Sequence, residues 1–293
     1  MTQESECTMP YQFKRILIYS MQAKSRPVVS RVIDWLRARS LDVFIYNETA
    51  TLMGIHDVVQ LTKEDMSAVD LMMVIGGDGS ILSAANKAVH VDVPILGINT
   101  GKLGFLVDHH PEDFDEIDSA LKGDFLEEKR TLLSVKNDNI HALAMNEVVI
   151  SRQEVGKIMS LTLSINGASI CQYLADGLII ATPTGSTAHA MSAGGAIIHP
   201  EAKSFLIIPV CPHKLNSRPI VVPEKEKITV QTEANARVTP YISCDGRPAE
   251  KIGTPYSIQI EAYAKQVSLI HQTKYSFYET LKQKLHWEKT LDA

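Results

Sequence analysis

Residues 71 to 105, LMMVIGGDGSILSAANKAVHVDVPILGINTGKLGF, contain residue types that suit phosphate handling. An apolar strand runs into Gly76-Gly77-Asp78-Gly79, and a second strand ends in Asn99-Thr100-Gly101-Lys102-Leu103-Gly104-Phe105. Glycines leave backbone N–H groups open to phosphate oxygens, and a following helix offers its positive N-terminus. Asp78 is the only acid in the turn. The bland alternative is that Asp78 merely shapes a tight turn and caps the next helix.

Three further stretches bear on the choice. Residues 174 to 195, LADGLIIATPTGSTAHAMSAGG, form an apolar strand (Leu178 to Ala181) that breaks at Pro183 into Thr184-Gly185-Ser186-Thr187. Hydroxyls and a glycine at a strand-to-helix turn can donate to a sugar or phosphate, or simply cap a helix. Asp176-Gly177 adds a carboxylate just upstream. Asn146-Glu147 interrupts the apolar run ALAMNEVVIS, where two polar side chains must find partners or face a cavity. Asp245-Gly246-Arg247 follows the strand YISC and reads more simply as a hairpin turn.

The standard nucleotide motifs nearly occur and fail. Gly77-x-Gly79 lacks the third glycine of the dinucleotide fingerprint, because Leu82 stands there. Gly97-Ile-Asn-Thr-Gly101-Lys102 is one residue short of a Walker loop, and Leu103 replaces its Ser/Thr. His109-His110 cannot share one face of a helix or strand, and no His-Glu-x-x-His spacing exists, so no protein-held metal is expected. No Gly-x-Ser-x-Gly elbow anchors hydrolase chemistry.

The elements that must position these residues come in two textures. KRILIYS (14 to 20) is a short β-branched run. After Pro27, Val29, Val32, Ile33 and Leu36 fall at helical spacing. Strands follow at 43 to 46, 71 to 75 and 94 to 98, with helix-compatible sequence at 80 to 90. Apolar strands without alternation suit a parallel sheet covered on both faces. Phe114, Ile117 and Leu121 mark another helix, closed by Gly123. Beyond about 125, Met159, Leu161, Leu163 and Ile165 alternate with polar residues, and Asn166-Gly167 signals a hairpin. Further strands are expected at 204 to 210, 219 to 222, 227 to 232, 238 to 243, 257 to 262 and 267 to 271. The reading is an α/β domain with a parallel sheet over 1 to 125 and a β-rich domain over 126 to 272. An aromatic and basic tail, 273 to 293, would pack back on the first domain.

A chain of 293 residues has room for two such domains. With 45% hydrophobic and 22% charged residues it has the composition of a folded globular protein. A formal charge of -5, with no dense Lys/Arg block, points to small-molecule partners rather than nucleic acid or an anionic membrane. Cys7, Cys171, Cys211 and Cys244 are scattered and read as free thiols in a reducing compartment. MTQESECTMP is unlike a signal peptide and no run is long enough to cross a bilayer, so the expected location is cytoplasmic.

Taken in order, GGDG, GINTGKLGFL, NEVV, DGLIIATPTGSTAHAMSAGG, PHKLNSRPIVV and SCDG resemble the bacterial NAD kinase family over roughly residues 70 to 250. The resemblance implies an ATP:NAD 2′-phosphotransferase whose active site lies in the cleft between an α/β and a β-rich domain. Asp78 would be the catalytic acid/base, with Gly76, Gly77 and Gly79 at the ATP phosphates. Gly79, Phe105, Asn146, Glu147, Asp176, Thr184, Thr187, Ala188 and Ser192 would line the NAD site. Lys157 and Arg247 fall at NAD-site positions where the residue type varies. His189 stands where relatives usually carry Tyr, and Leu174 where Arg is frequent. A divalent ion, Mg²⁺ in most such enzymes, would arrive with ATP. Relatives assemble as homodimers or homotetramers through the β domain.

Two alternatives stand beside this reading. A lipid or sugar kinase sharing GGDG would give Asn146-Glu147 and the TPTGSTA loop no role. A non-catalytic dinucleotide sensor would have no need of Asp78. The donor, ATP or polyphosphate, and the choice between NAD and NADH stay open at this level.

Overall fold

The computed structural model describes residues 10–101, 104–153, 157–232, 238, 240–251 and 256–287. Cys7 and the Lys102-Leu103 pair lie outside them. The chain divides into two compact units, 1–129 with 267–293, and 130–266.

The first unit is built on a seven-stranded sheet. Its strands are β1 (Arg15–Tyr19), β2 (Asp42–Tyr46), β3 (Val59–Leu61), β4 (Leu71–Gly76), β5 (Ile95–Asn99) and β6 (Leu126–Arg130), together with a last strand, Val267–His271, from the far end of the chain. Between them run α1 (Arg26–Arg37), α2 (Asn47–Met53), α3 (Asp78–Ala88) and α4 (Phe114–Leu121). α1 buries Val29, Val32, Ile33 and Leu36, the stripe read from sequence. β4 is buried at every position because both faces of the sheet are covered, which is why it shows no alternation.

β1 pairs in parallel with both β2 and β4, and β4 pairs in parallel with β5. The chain therefore winds outward from β1 in one direction, returns, and continues from β4 in the other. That reversal puts a crevice at the carboxyl ends of β1 and β4, the place where open parallel sheets bind ligands. The Gly76-Gly77-Asp78 turn leaves β4 there.

The second unit packs two antiparallel sheets face to face. Its strands are β7 (Leu133–Lys136), β8 (His141–Ala144), β9 (Glu147–Arg152), β10 (Met159–Ile165), β11 (Ala168–Ala175), β12 (Gly177–Ala181), β13 (Ser204–Val210), β14 (Ile220–Pro223), β15 (Ile228–Gln231), β16 (Pro240–Cys244), β17 (Arg247–Lys251) and β18 (Ser257–Ala262). One sheet runs β11-β10-β15-β18-β7-β8, the other β14-β13-β12-β9-β16-β17. Their inner faces share one core, with Leu161, Leu163, Val230 and Ile258 facing Val148, Leu178, Ile180 and Ile207. β12 is apolar on both sides: Ile179 and Ala181 point outward, where Ala190 covers them. Both Asx-Gly turns are of the primed kind, with positive φ at Asn166-Gly167 and at Asp245-Gly246.

The remaining strand, Val267–His271, is β19, and it changes the division read from sequence. Expected as the last strand of the β-rich domain, it instead pairs in parallel with β5, Leu269 opposite Ile95 and Ile270 opposite Leu96. The second unit accordingly ends at Gln266 and begins at Arg130 rather than at 272 and 126. A five-residue strand with three apolar positions, VSLIH, carries no mark of which sheet it joins. The following helix α6 (Phe277–Leu285) belongs to the first unit too, burying Phe277 and Leu281. No helix among the described residues is long and apolar enough to cross a membrane.

Candidate active site

The helix after β4 starts earlier than its sequence suggests, with Gly77 as N-cap and Asp78 already in the first turn. Asp78 does not cap it. Its carboxylate turns to the segment after β5, where Oδ2 accepts the Phe105 N–H at 2.8 Å and Oδ1 the Leu106 N–H at 3.1 Å. Gly104 makes this approach possible, because a Cβ there would collide with the Asp78 carboxylate. A carboxylate has about four lone-pair sites, so two donors leave acceptor capacity for a substrate hydroxyl.

The glycines around Asp78 divide by role. Gly76 is required by the fold, since a Cβ would strike the Ser80 hydroxyl. At Gly77 and Gly79 a Cβ would meet no atom of another described residue within 4 Å, and neither has a positive φ. Neither packing nor backbone strain accounts for these two glycines, which fits backbone left open to a ligand. Phe105 is half-buried, with the Lys284 Nζ of α6 5.7 Å from its ring centre.

In the second unit the run ALAMNEVVIS is not one strand. β8 ends at Ala144, Met145-Asn146 make a bend, and β9 starts at Glu147. The bend is held from both sides. The Thr182 N–H donates to Asn146 O at 2.9 Å, and the Thr182 hydroxyl donates to Met145 O at 2.5 Å. Gly185 sits so close that a Cβ would overlap the Asn146 carbonyl.

On the other side stands Asp245. Its Oδ2 accepts the Met145 N–H at 2.9 Å, and its Oδ1 accepts those of Asn146 at 2.7 Å and Glu147 at 3.2 Å. Its side chain is wholly buried, with Arg247 Nη2 3.7 Å from Oδ2. The hairpin turn expected here is present, but the aspartate is also the anchor of the Asn146-Glu147 bend. Burial, joined by repulsion from Asp245, pushes the Glu147 carboxyl up to about 7. Its Oε2 has no protein partner among the described residues. A buried acid half-protonated near neutrality can both donate to and accept from a sugar hydroxyl.

The loop after β12 is a 3-10 turn (Thr184–Thr187) followed by α5 (His189–Ser192). Thr184 is buried, its Oγ1 accepting from Arg130 Nη1 at 3.3 Å. Ser186 is not a ligand group: its hydroxyl donates to Pro183 O and accepts the Ile198 N–H. Thr187 donates to Thr184 O at 3.2 Å. Thr187 and Ala188 are half-buried, whereas His189 and Ser192 are exposed.

The expected dinucleotide residues of this unit form two groups. Asn146, Glu147, Thr184 and Arg247 gather around the Asp245 end of β9. Asp176 lies at the opposite end, since Gly177 pairs with Ser151 while Ala181 pairs with Glu147. Four residues of strand span about 13 Å. Asp176 is bound there to Arg152 Nε at 2.8 Å, which lowers its pKa. Leu174, on the edge strand β11, and exposed Lys157, just before β10, are on that side as well.

Among the described residues no three His, Cys, Asp or Glu side chains converge as a metal site. Cys171, Cys211 and Cys244 are unpaired thiols. Sequence reasoning read Asp245 as a plain hairpin turn and saw neither the close approach that needs Gly104 nor the one that needs Gly185. The signal for Asp245 lay in its DG dipeptide but read as turn chemistry alone.

The fold has solved counterparts. The structure of yeast NADH kinase complexed with NADH superposes with a TM-score of 0.82 at 22% identity, over 95% of this chain and 89% of that one. An NAD kinase from Archaeoglobus fulgidus in complex with ATP gives 0.75 at 26%, over 93% and 98%. A parallel α/β sheet joined to a β unit of this topology is the two-domain fold of these dinucleotide kinases. Sequence profiles carry this further: residues 9–125 match the ATP-NAD kinase N-terminal domain and residues 145–272 the ATP-NAD kinase C-terminal domain. The NAD kinase of Legionella pneumophila strain Paris is 35% identical over 96% of this chain and 98% of its own length. That of Coxiella burnetii strain Dugway 5J108-111 is 38% identical over 87% and 88%. The chain belongs to the NAD kinase family.

Proposed function

We propose that this chain carries out the family's reaction, ATP-dependent phosphorylation of NAD, at the adenosine ribose 2′-hydroxyl, with Asp78 receiving the hydroxyl proton. The oxygen of that hydroxyl bonds to the γ-phosphorus of ATP, the bond from that phosphorus to the β–γ bridging oxygen breaks, and ADP and NADP leave. The transfer needs alignment and charge neutralisation more than covalent help. A divalent cation, Mg²⁺ in the ordinary case, enters with the ATP phosphates and supplies the neutralisation.

The carrying observation is the Asp78 carboxylate, fixed by the Phe105 and Leu106 N–H groups yet retaining acceptor capacity, beside two glycines that packing does not require. Gly76 shapes the turn, and Gly77 and Gly79 offer backbone to the donor phosphates. Phe105 gives the dinucleotide an aromatic face. Asn146 and Glu147 bind the acceptor's ribose hydroxyls, with Thr184, Thr187, Ala188, His189, Ser192 and Arg247 completing the contacts on that end of β9. Lys157 and Asp176 serve a more distant part of the dinucleotide, in keeping with their place at the other end. Exposed Ile170 and Leu174 on edge strand β11 favour assembly as a homodimer or homotetramer through the β unit.

Incubation of the purified protein with ATP, Mg²⁺ and NAD should yield NADP, and Asp78→Asn should abolish it. Full activity in Asp78→Asn would remove the assigned role. Parallel reactions with NADH and with polyphosphate fix the acceptor and donor.

A further inference from the structure

The segment that holds Asp78 is itself held at both ends, by residues from the far end of the chain. Phe105 and Leu106 grip the Asp78 carboxylate. Three residues on, Asp108 receives the His271 Nδ1 at 3.0 Å and the Gln272 N–H at 2.9 Å, while its carbonyl accepts from Gln272 Nε2 at 3.1 Å. His271 is fully buried, and its other ring nitrogen lies 3.3 Å from Glu128 Oε2 on β6. Tyr275 stacks on the imidazole, 4.0 Å between centroids and 10° between planes, and its hydroxyl reaches to 3.5 Å from the Phe105 carbonyl. One short stretch, 271 to 275, thus contacts the 105–108 segment at its first and its last residue.

We propose that His271 and Tyr275 are positioning residues for phosphoryl transfer, setting the direction of the Asp78 carboxylate through the 105–108 segment. This inference rests on the reading of Asp78 given above. Neither residue touches substrate in it. An imidazolium donates to Asp108 from Nδ1 and holds Glu128 by charge at ion-pair distance from Nε2, whereas neutral imidazole loses the charge that holds both carboxylates.

Burial alone would lower the His271 pKa, but the contacts with Asp108 and Glu128 outweigh it and the net shift is upward. The other groups facing the pair are the stacked Tyr275 ring and His109, a buried imidazole that burial keeps below its ordinary pKa. The imidazolium form dominates below the raised pKa and is lost as pH rises through it.

The test compares His271→Gln, Tyr275→Leu and Tyr275→Phe with the full-length wild type and with Asp78→Asn, measuring NADP formation across pH. His271→Gln and Tyr275→Leu should lower kcat about 10- to 100-fold while KM for NAD and ATP moves less than about 3-fold. Tyr275→Phe keeps the stack on His271 but loses the hydroxyl's reach to Phe105 O, and should fall between wild type and Tyr275→Leu in kcat. The wild type should show an alkaline decline in kcat through the raised His271 pKa, and that decline should vanish in His271→Gln. Tyr275→Leu, on a half-buried side chain, keeps the test open should His271→Gln fail to fold. Wild-type kcat and pH profile in the folded His271 and Tyr275 variants, with Asp78→Asn inactive, would overturn this inference alone. Full activity in Asp78→Asn would overturn the reading beneath it and the inference with it.

Discussion

Two Asp-Gly turns, Gly77-Asp78-Gly79 and Cys244-Asp245-Gly246, look alike in sequence and sit in opposite surroundings. Each carboxylate reaches far along the chain to accept backbone N–H groups, Asp78 those of Phe105 and Leu106, Asp245 those of Met145, Asn146 and Glu147. Asp78 is half-exposed, takes two donors, and has space beside it at Gly77 and Gly79. Asp245 is sealed in, takes three, and adds its own N–H to Glu147 O at 3.0 Å. The two carboxylates thus differ in burial and in remaining acceptor capacity rather than in motif, and on the proposed reading that difference is what suits Asp78 to react and Asp245 to build.

The comparison can be broken most severely at Asp245. Asp245→Ala leaves three buried N–H groups of the Asn146-Glu147 bend without their acceptor and should cost about 3 kcal/mol or more in urea unfolding. Near-wild-type stability would show that the bend does not depend on it. Gly104→Ala should act on the other turn: the added methyl displaces the Asp78 carboxylate and lowers kcat about 100-fold, with a smaller change in the thermal midpoint.

Glu147 sharpens the contrast through pH. With its folded pKa raised to about 7 above an ordinary 4.5, it supports the fold fully below 4.5 and loses that support as pH rises through 7. Glu147→Gln has no such loss. Relative to the wild type it should therefore be more stable at pH 8 than at pH 5 by about 1–3 kcal/mol, measured by unfolding at both. The smallest effect on stability belongs to Gly77→Ala. No protein atom opposes the methyl, so stability should hold within about 0.5 kcal/mol while KM for ATP rises about tenfold.

Much of this was legible before the structure. The helical stripe of α1, the unalternating β4 and the alternation of β10 report local burial periodicity, which a sequence states directly. Asp78 stood out as the one acid in a glycine turn, and Asn146-Glu147 because polar residues interrupt an apolar run. What stayed hidden depends on distant partners. Asp245 read as a plain turn because its three donors lie about 100 residues away. β19 was assigned to the wrong sheet because its partner β5 is far upstream. Ser186, which the sequence leaves open between ligand group and helix cap, has its hydroxyl bound to Pro183 O and to the Ile198 N–H.

The claim at the centre is that Asp78 reacts while Asp245 builds. Single-turnover formation of NADP by Asp78→Asn, at saturating ATP, Mg²⁺ and NAD, isolates the chemical step from binding. A rate about 10²- to 10⁴-fold below wild type, with nucleotide affinities and unfolding midpoint preserved, is the expected result. A rate within about 3-fold of wild type would contradict it, leaving Asp78 as one more structural turn.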